Sequence, residues 1–296
     1  MLVEKITSRQ NPLVKRFRRV RAGGERRMIL LEGVRLVEEA IRAGAHFESV
    51  AFTSEIETTD RGLALLDALR KVRCRGAQVT RQIMDIFSDT EAHQGVAAIA
   101  SRPRYESEDV FARAPQLLVI ADRLQDPGNL GAIIRTAEAA GATGLITTPD
   151  TVDPFNHKAL RASMGAALRL PLATHIPCNE IARLCREHQV ISFATRTRPA
   201  RTSGVIEDAS RAETIRIYTE VDMTAPVAFI LGREASGVSS EAMLQTEGLI
   251  HIPMANEVES LNVAAAGAVL LYEAARQRNF CFGKNEKGEY KQPLPK

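Results

Sequence analysis

Three short stretches of the chain carry side chains able to hold and orient a polar ligand. The first is Asp126-Pro127-Gly128-Asn129-Leu130-Gly131, leading on to Arg135. The second, Leu231-Gly232-Arg233-Glu234-Ala235-Ser236-Gly237, sets a glutamate between glycines. In the third, Ile252-Pro253-Met254 is followed by Ser260-Leu261-Asn262-Val263 and a run of small residues, Ala264 to Ala268. Carboxamides, a carboxylate and a guanidinium can fix hydroxyls and phosphates by directed hydrogen bonds. Glycine and alanine let backbone amides come close to a flat ligand. Glu234 could instead cap a helix. Asn129 and Arg135, six apart, do not share a helix face if both are helical, but could reach one cleft if Asn129 lies in a loop.

Other chemistries lack their signatures. Gly128-x-x-Gly131 is not the Gly-x-Gly-x-x-Gly of dinucleotide sites. The four cysteines (Cys74, Cys178, Cys185, Cys281) form no Cys-x-x-Cys pair, so neither a zinc site nor a disulfide framework is expected. They read as reduced thiols of a cytoplasmic protein. No metal is expected.

The elements that must position these residues follow from apolar patterning. Leu117–Ile120, Gly144–Thr147, Val190–Ala194, Val227–Leu231 and the run from Gly248 read as buried strands, the last ended by Pro253. A short strand is expected at Ala167–Leu170. Helices are expected at 132–140, 157–164 and 181–187. A long apolar one runs from Ser260, its expected N-cap, to about Arg278. All three special stretches then lie at strand ends, the edge at which open α/β sheets bind ligands. Residues 196–212 read as a surface loop.

Before position 101 the chain alternates short strands and helices: strands at Met28–Leu31, Phe47–Phe52, 78–80 and 95–100, helices at 34–42 and 62–71. This suggests a small α/β sandwich. Asn11-Pro12 opens a helix with Leu13, Val14, Phe17 and Val20 as its apolar stripe. Pro103, Pro115 and mixed charges mark a linker. The expected organisation is 1–105, a first domain; 106–116, the linker; 117–280, a second domain; and 281–296, a flexible tail.

The 296 residues carry a net charge of +3. Within residues 1–35, ten Lys/Arg stand against three Asp/Glu, so basic charge gathers near the start. Arg9, Lys15, Arg16, Arg18 and Arg19 are candidate phosphate contacts, with a second cluster at 70–81. No apolar run is long enough to span a membrane, and Met1–Lys5 does not read as a signal peptide.

The three stretches, in this order, resemble the motifs of the SpoU-type RNA ribose 2′-O-methyltransferases of the trefoil-knot superfamily. The resemblance covers about residues 115–278. Residues 1–105 also look like the ribosomal-protein-like substrate-binding domain that many members carry. The implied fold is α/β, with a C-terminal trefoil-knotted, parallel-sheet methyltransferase domain behind a small N-terminal α/β RNA-binding domain. Knots are otherwise essentially absent from proteins.

The implied cofactor is S-adenosylmethionine, held at Thr195, Leu231, Gly232, Gly237, Ile252, Leu261 and Ala264. The implied catalytic set is Arg135, Asn129, Glu234, Ser260 and Asn262. Arg135 would lie beside the 2′-hydroxyl. A guanidinium stays protonated at ordinary pH, which favours phosphate anchoring and electrostatic activation over literal proton acceptance. Asn129 and Asn262 would orient the ribose, Arg135 and one another. Glu234 would position Arg135 or a substrate group, and Ser260 would contact substrate or cap the helix. The implied partners are RNA, ribosomal before transfer RNA, and a second copy of the chain docked through the knotted domain, one subunit's Arg135 serving its neighbour. A non-catalytic RNA- or ribosome-binding protein and a base methyltransferase are the competing readings.

Overall fold

A computed structural model describes residues 3–88, 94–196, 215–234, 236–256 and 258–278. The loop expected at 196–212, apart from Arg196, lies outside the described residues, as do Cys281 and the tail expected at 281–296. The chain forms two compact units. One comprises residues 1–104 with 130–135 and 153–169; the other holds 105–129, 136–152 and 170 onward.

The elements up to position 101 are β1 (Val3–Ile6), α1 (Pro12–Arg21), β2 (Met28–Glu32), α2 (Val34–Arg42), β3 (Phe47–Phe52), α3 (Asp60–Lys71), β4 (Arg75–Val79), α4 (Arg81–Phe87) and β5 (Val96–Ser101). Their sheet runs β1-β4-β3-β5-β2, with β5 antiparallel to both neighbours. Asn11 caps α1 by accepting from Leu13 N–H at 2.8 Å, and the four expected apolar residues are its buried ones. Phe17 stacks on Phe87 with ring centroids 4.4 Å apart. β1 and α4 were not expected. Three of the four β1 residues are exposed, which hides the strand from a burial pattern.

The later elements are β6 (Leu117–Ala121), α5 (Pro127–Ala139), β7 (Gly144–Thr147), α6 (His157–Ser163), β8 (Leu172–Ala173), α7 (Cys178–Glu187), β9 (Ile191–Thr195), β10 (Ile215–Ile217), β11 (Val227–Leu231), α8 (Ser240–Leu244), β12 (Gly248–His251) and α9 (Val263–Gln277). Their seven strands run parallel in the order β10-β12-β9-β11-β6-β7-β8. Residues 105–116 include a short 3-10 turn, Ser107–Phe111, whose Val110 and Phe111 are buried.

The helix expected at 181–187 begins at Cys178 and the strand expected at 78–80 is Arg75–Val79, and two further boundaries correct the sequence reading. The strand expected at Ala167–Leu170 is a 3-10 turn at Ala166–Leu168, and the strand is Leu172–Ala173. Gly165, at φ 89°, starts that turn, and Pro171, whose ring clashes with a preceding helical residue, ends it. The helix expected from Ala132 begins at Pro127, because Pro suits the first helical position and Asp126 caps it through Asn129 N–H at 2.7 Å.

Arg278, just past α9, closes this unit. Its guanidinium donates to the carbonyls of Met223 (2.7 Å), Pro115 (3.0 Å), Gln116 (2.8 Å) and Ala225 (2.6 Å). Burial lowers its pKa from the usual arginine value, yet each donated bond satisfies a carbonyl.

Candidate active site

In a parallel sheet all strands end on one edge, and the crevice opens where successive connections leave in opposite directions. Here β6 connects to β7 on one side, whereas the chain beyond β11 returns to β12 on the other. The change of direction therefore falls between β6 and β11, the strands that lead into the first and second special stretches. β9 and β12 follow next to β11, so the third stretch leaves from the same edge.

Three polar side chains from the three stretches meet there. Asn129 Nδ2 donates to Glu234 Oε1 at 2.6 Å, and Asn262 Nδ2 donates to the same oxygen at 2.8 Å. Asn262 Nδ2 also reaches Asn129 Oδ1 at 3.1 Å. The orientation of Asn262 is forced, since its Oδ1 caps α9 by accepting from Ala264 N–H (2.9 Å) and Ala265 N–H (3.4 Å). Its amide nitrogen must then face the carboxylate. Glu234 Oε2 takes no hydrogen bond among the described residues, which leaves it an acceptor for a ligand.

The Glu234 loop is shaped by two glycines. A Cβ on Gly232 would lie 2.2 Å from Val238 N and 2.3 Å from the Gly237 carbonyl carbon, so no larger residue fits. Arg233 and Gly237 exchange backbone hydrogen bonds of 3.0 and 2.7 Å, with Gly237 at φ 68°. A buried residue that the sequence reading did not single out ties both ends of this loop. Asp122 N–H donates to Leu231 O at 2.8 Å, and its carboxylate accepts from Ser239 N–H at 2.7 Å and the Thr148 hydroxyl at 2.9 Å. An acid directly after an all-apolar strand, only 1% exposed, was the available signal, because a buried carboxylate must find donors. Asp122 also helps burial push the Cys178 thiol up to about 11.

Other expected residues stand apart from this network. Asn129 is helical after all, so Arg135, six residues on, lies about 120° around the helix from it. The condition under which the two were expected to point to one cleft, a loop-borne Asn129, is therefore not met. Arg135 is exposed and makes no hydrogen bond or ion pair among the described residues. Glu234 binds the two asparagines and caps no helix. Ser260 is not the cap of α9; Asn262 is.

Among the expected cofactor residues, Leu231 and Gly232 are buried, Thr195, Ile252 and Ala264 are half-buried, and Leu261 and Gly237 are exposed. Thr195 Oγ1 donates to Ile230 O at 3.0 Å. The Leu231 carbonyl already accepts from Asp122, leaving one lone pair. The apolar Leu261 is left 38% exposed, next to the small first turn of α9.

Of the expected phosphate contacts, Arg9, Lys15 and Arg18 are exposed without an ion pair among the described residues. Arg16 pairs with Glu25 (3.2 Å) and Glu48 (2.6 Å), and Arg19 with Glu25 (2.7 Å).

Residues 116–272 match the SpoU rRNA Methylase family. Residues 30–106 match the family described as RNA 2′-O ribose methyltransferase substrate binding. A Synechocystis protein described as an uncharacterised tRNA/rRNA methyltransferase is 34% identical, covering 93% of this chain and 95% of its own. The 23S rRNA (guanosine(2553)-2′-O)-methyltransferase RlmP of Bacillus subtilis is 29% identical over 91% of this chain and 98% of its own. The crystal structure of an AdoMet-bound rRNA methyltransferase from Sinorhizobium meliloti superposes with a TM-score of 0.76 at 28% identity, covering 93% of this chain and 98% of that one.

Proposed function

Because the chain belongs to the SpoU rRNA methylase family, we propose that it methylates a ribose 2′-hydroxyl of structured RNA, ribosomal RNA before transfer RNA. The observation that carries this reading is the Asn129–Glu234–Asn262 network, drawn from three separate loops onto one sheet edge. S-adenosylmethionine, when bound, supplies an electrophilic methyl group on a sulfonium. Leu231, Gly232, Gly237, Ile252, Leu261 and Ala264 would hold it, with Thr195 as a further contact.

The chain's own residues must place a weak nucleophile and stabilise the loss of its proton. Glu234 Oε2 accepts a hydrogen bond from the ribose, and the two asparagines hold that carboxylate in place. Arg135 anchors the neighbouring phosphate and stabilises the developing alkoxide, whose proton is released to solvent as the methyl leaves the sulfonium. Ser260, freed of capping, contacts substrate. Arg9, Lys15 and Arg18 grip RNA, with Arg16 and Arg19 contributing less because carboxylates already neutralise them.

The reading extends to the assembly. The second domain expected from the sequence, residues 117–280, carries the knot and pairs with a second copy through α9, where Tyr272 is 44% exposed. Residues 1–105 form the substrate-binding domain, and the protein acts in the cytoplasm. Among the described residues no helix is long and apolar enough to cross a membrane.

The test is transfer of labelled methyl from S-adenosylmethionine to total RNA from cells lacking the protein, followed by digestion to nucleosides. A labelled 2′-O-methylnucleoside is the expected product. Label on a base would reassign the chemistry, and RNA binding without transfer would make the chain a binding protein.

A further inference from the structure

Three arginines stand at the carboxyl edge of the C-terminal sheet and have no role in the reading above. Arg123 is the second residue past β6, Arg233 the second past β11, and Arg196 the first past β9. These three strands are neighbours, with β11 in the middle. Register pairs Ala121 with Leu231 and Ala194 with Ile230. Counted past these pairs, Arg123 and Arg233 each stand two residues on and Arg196 one residue short of them, with the chain turning at Arg123, whose φ is 56°. At about 4.8 Å between strands, the ends of the three strands from which they leave span roughly 10 Å. Arg196 is held in line by its N–H, which donates to Ile250 O at 3.0 Å. The Arg123 N–H donates to the Thr148 hydroxyl at 3.1 Å, and Arg233 is fixed by its exchange with Gly237.

All three are exposed, and none makes an ion pair or side-chain hydrogen bond among the described residues. Elsewhere arginine is commonly neutralised, as Arg61 is by Glu38, Arg75 by Glu4 and Arg183 by Glu187. The carboxylates nearest in sequence do not serve these three. Asp122 is buried and bound to Ser239 and Thr148, and Glu234 is held by two carboxamides. Like charges set this close repel, and a polyanion relieves that repulsion. The planar guanidinium fork matches phosphate oxygens two at a time.

We propose that Arg123, Arg196 and Arg233 form a phosphate clamp that holds the RNA backbone on either side of the target nucleotide. The proposal rests on the RNA-methylating reading and adds to it the residues that seat the strand at the crevice. The triple variant R123Q/R196Q/R233Q tests it against the wild type in three assays: rRNA binding across a salt series, methyl transfer, and calorimetric binding of S-adenosylmethionine.

Each lost phosphate contact removes about 0.7 from the slope of log K against log salt on single-stranded RNA, so the slope should shallow by about 2. KM for RNA should rise more than kcat falls, and cofactor affinity should hold. An unchanged slope and KM overturns the clamp, and so does loss of cofactor affinity, which would move these arginines into the cofactor pocket. If the wild type binds RNA but transfers no methyl, the functional reading fails while the slope still reports on the clamp. If the wild type binds no RNA, both fall. Should the triple variant misfold, R233Q alone gives the same reading, with an expected change of about 0.7.

Discussion

At the residue scale the decisive feature is the double duty of Asn262, whose oxygen caps a helix while its nitrogen holds Glu234. The two duties can be separated. Serine is as good a cap as asparagine, so Asn262→Ser should change stability by less than about 0.5 kcal/mol in a denaturant melt. It removes the donor to Glu234, and misplacing a positioned group should lower the transfer rate on the order of 10- to 100-fold. A stable variant with full activity would take the network out of the mechanism. His157 gives a second test. Its pKa is lowered from the ordinary 6.5, chiefly by burial and then by Arg21 and Arg161, with Glu32 opposing. The unfolded chain therefore takes up a proton at pH values where the folded one does not. Stability from this residue is present above about pH 6.5 and declines as the pH falls below it. Urea melts at about pH 5.5 and pH 7.5 should differ less in His157→Gln than in the wild type.

At the element scale, α5 is set by close packing as well as by its cap. A Cβ on Gly131 would lie 2.5 Å from both Ala159 O and Ala162 Cβ, and 3.1 Å from Ser163 N. Alanine gains up to about 1 kcal/mol of helix propensity over glycine, but overpacking of this kind costs about 1–3 kcal/mol. Gly131→Ala should therefore destabilise, and tilting α5 should cut transfer through Asn129; a raised melting temperature would refute the packing account. The same element shows where the sequence was legible. Val227–Leu231 and Gly144–Thr147 were read to the residue, because buried parallel strands are unbroken apolar runs bounded by turn residues. The start of α5 was misread, as was the cap of α9, expected at Ser260 and found at Asn262, because a polar residue can be cap, loop or ligand contact and only its partner decides. The three stretches could be placed at one edge from strand patterning, yet the bonding among Asn129, Glu234 and Asn262 depends on side chains 28, 105 and 133 positions apart in the chain. Asp122 escaped notice because burial, not residue type, makes it important.

At the scale of the whole molecule, the separation of Arg135 from Asn129 around α5 suits a site completed by a second copy. Mixing Arg135→Ala with the weakened Asn262→Ser should then raise activity above that of either variant alone. In random dimers half are mixed and each has one intact site, so recovery should reach about a quarter of the wild type. No recovery, with mixed dimers shown by sedimentation or mass analysis, would place both residues in one subunit's site. The Arg278 guanidinium has a different consequence, for the order of assembly during synthesis. It gathers carbonyls at positions 115, 116, 223 and 225, so the start of β6 and the approach to β11 lack their last fastener until residue 278 has been made. A ribosome stalled before that codon would display both strands without the clasp that joins them, and the growing chain would depend on chaperones longest at this seam.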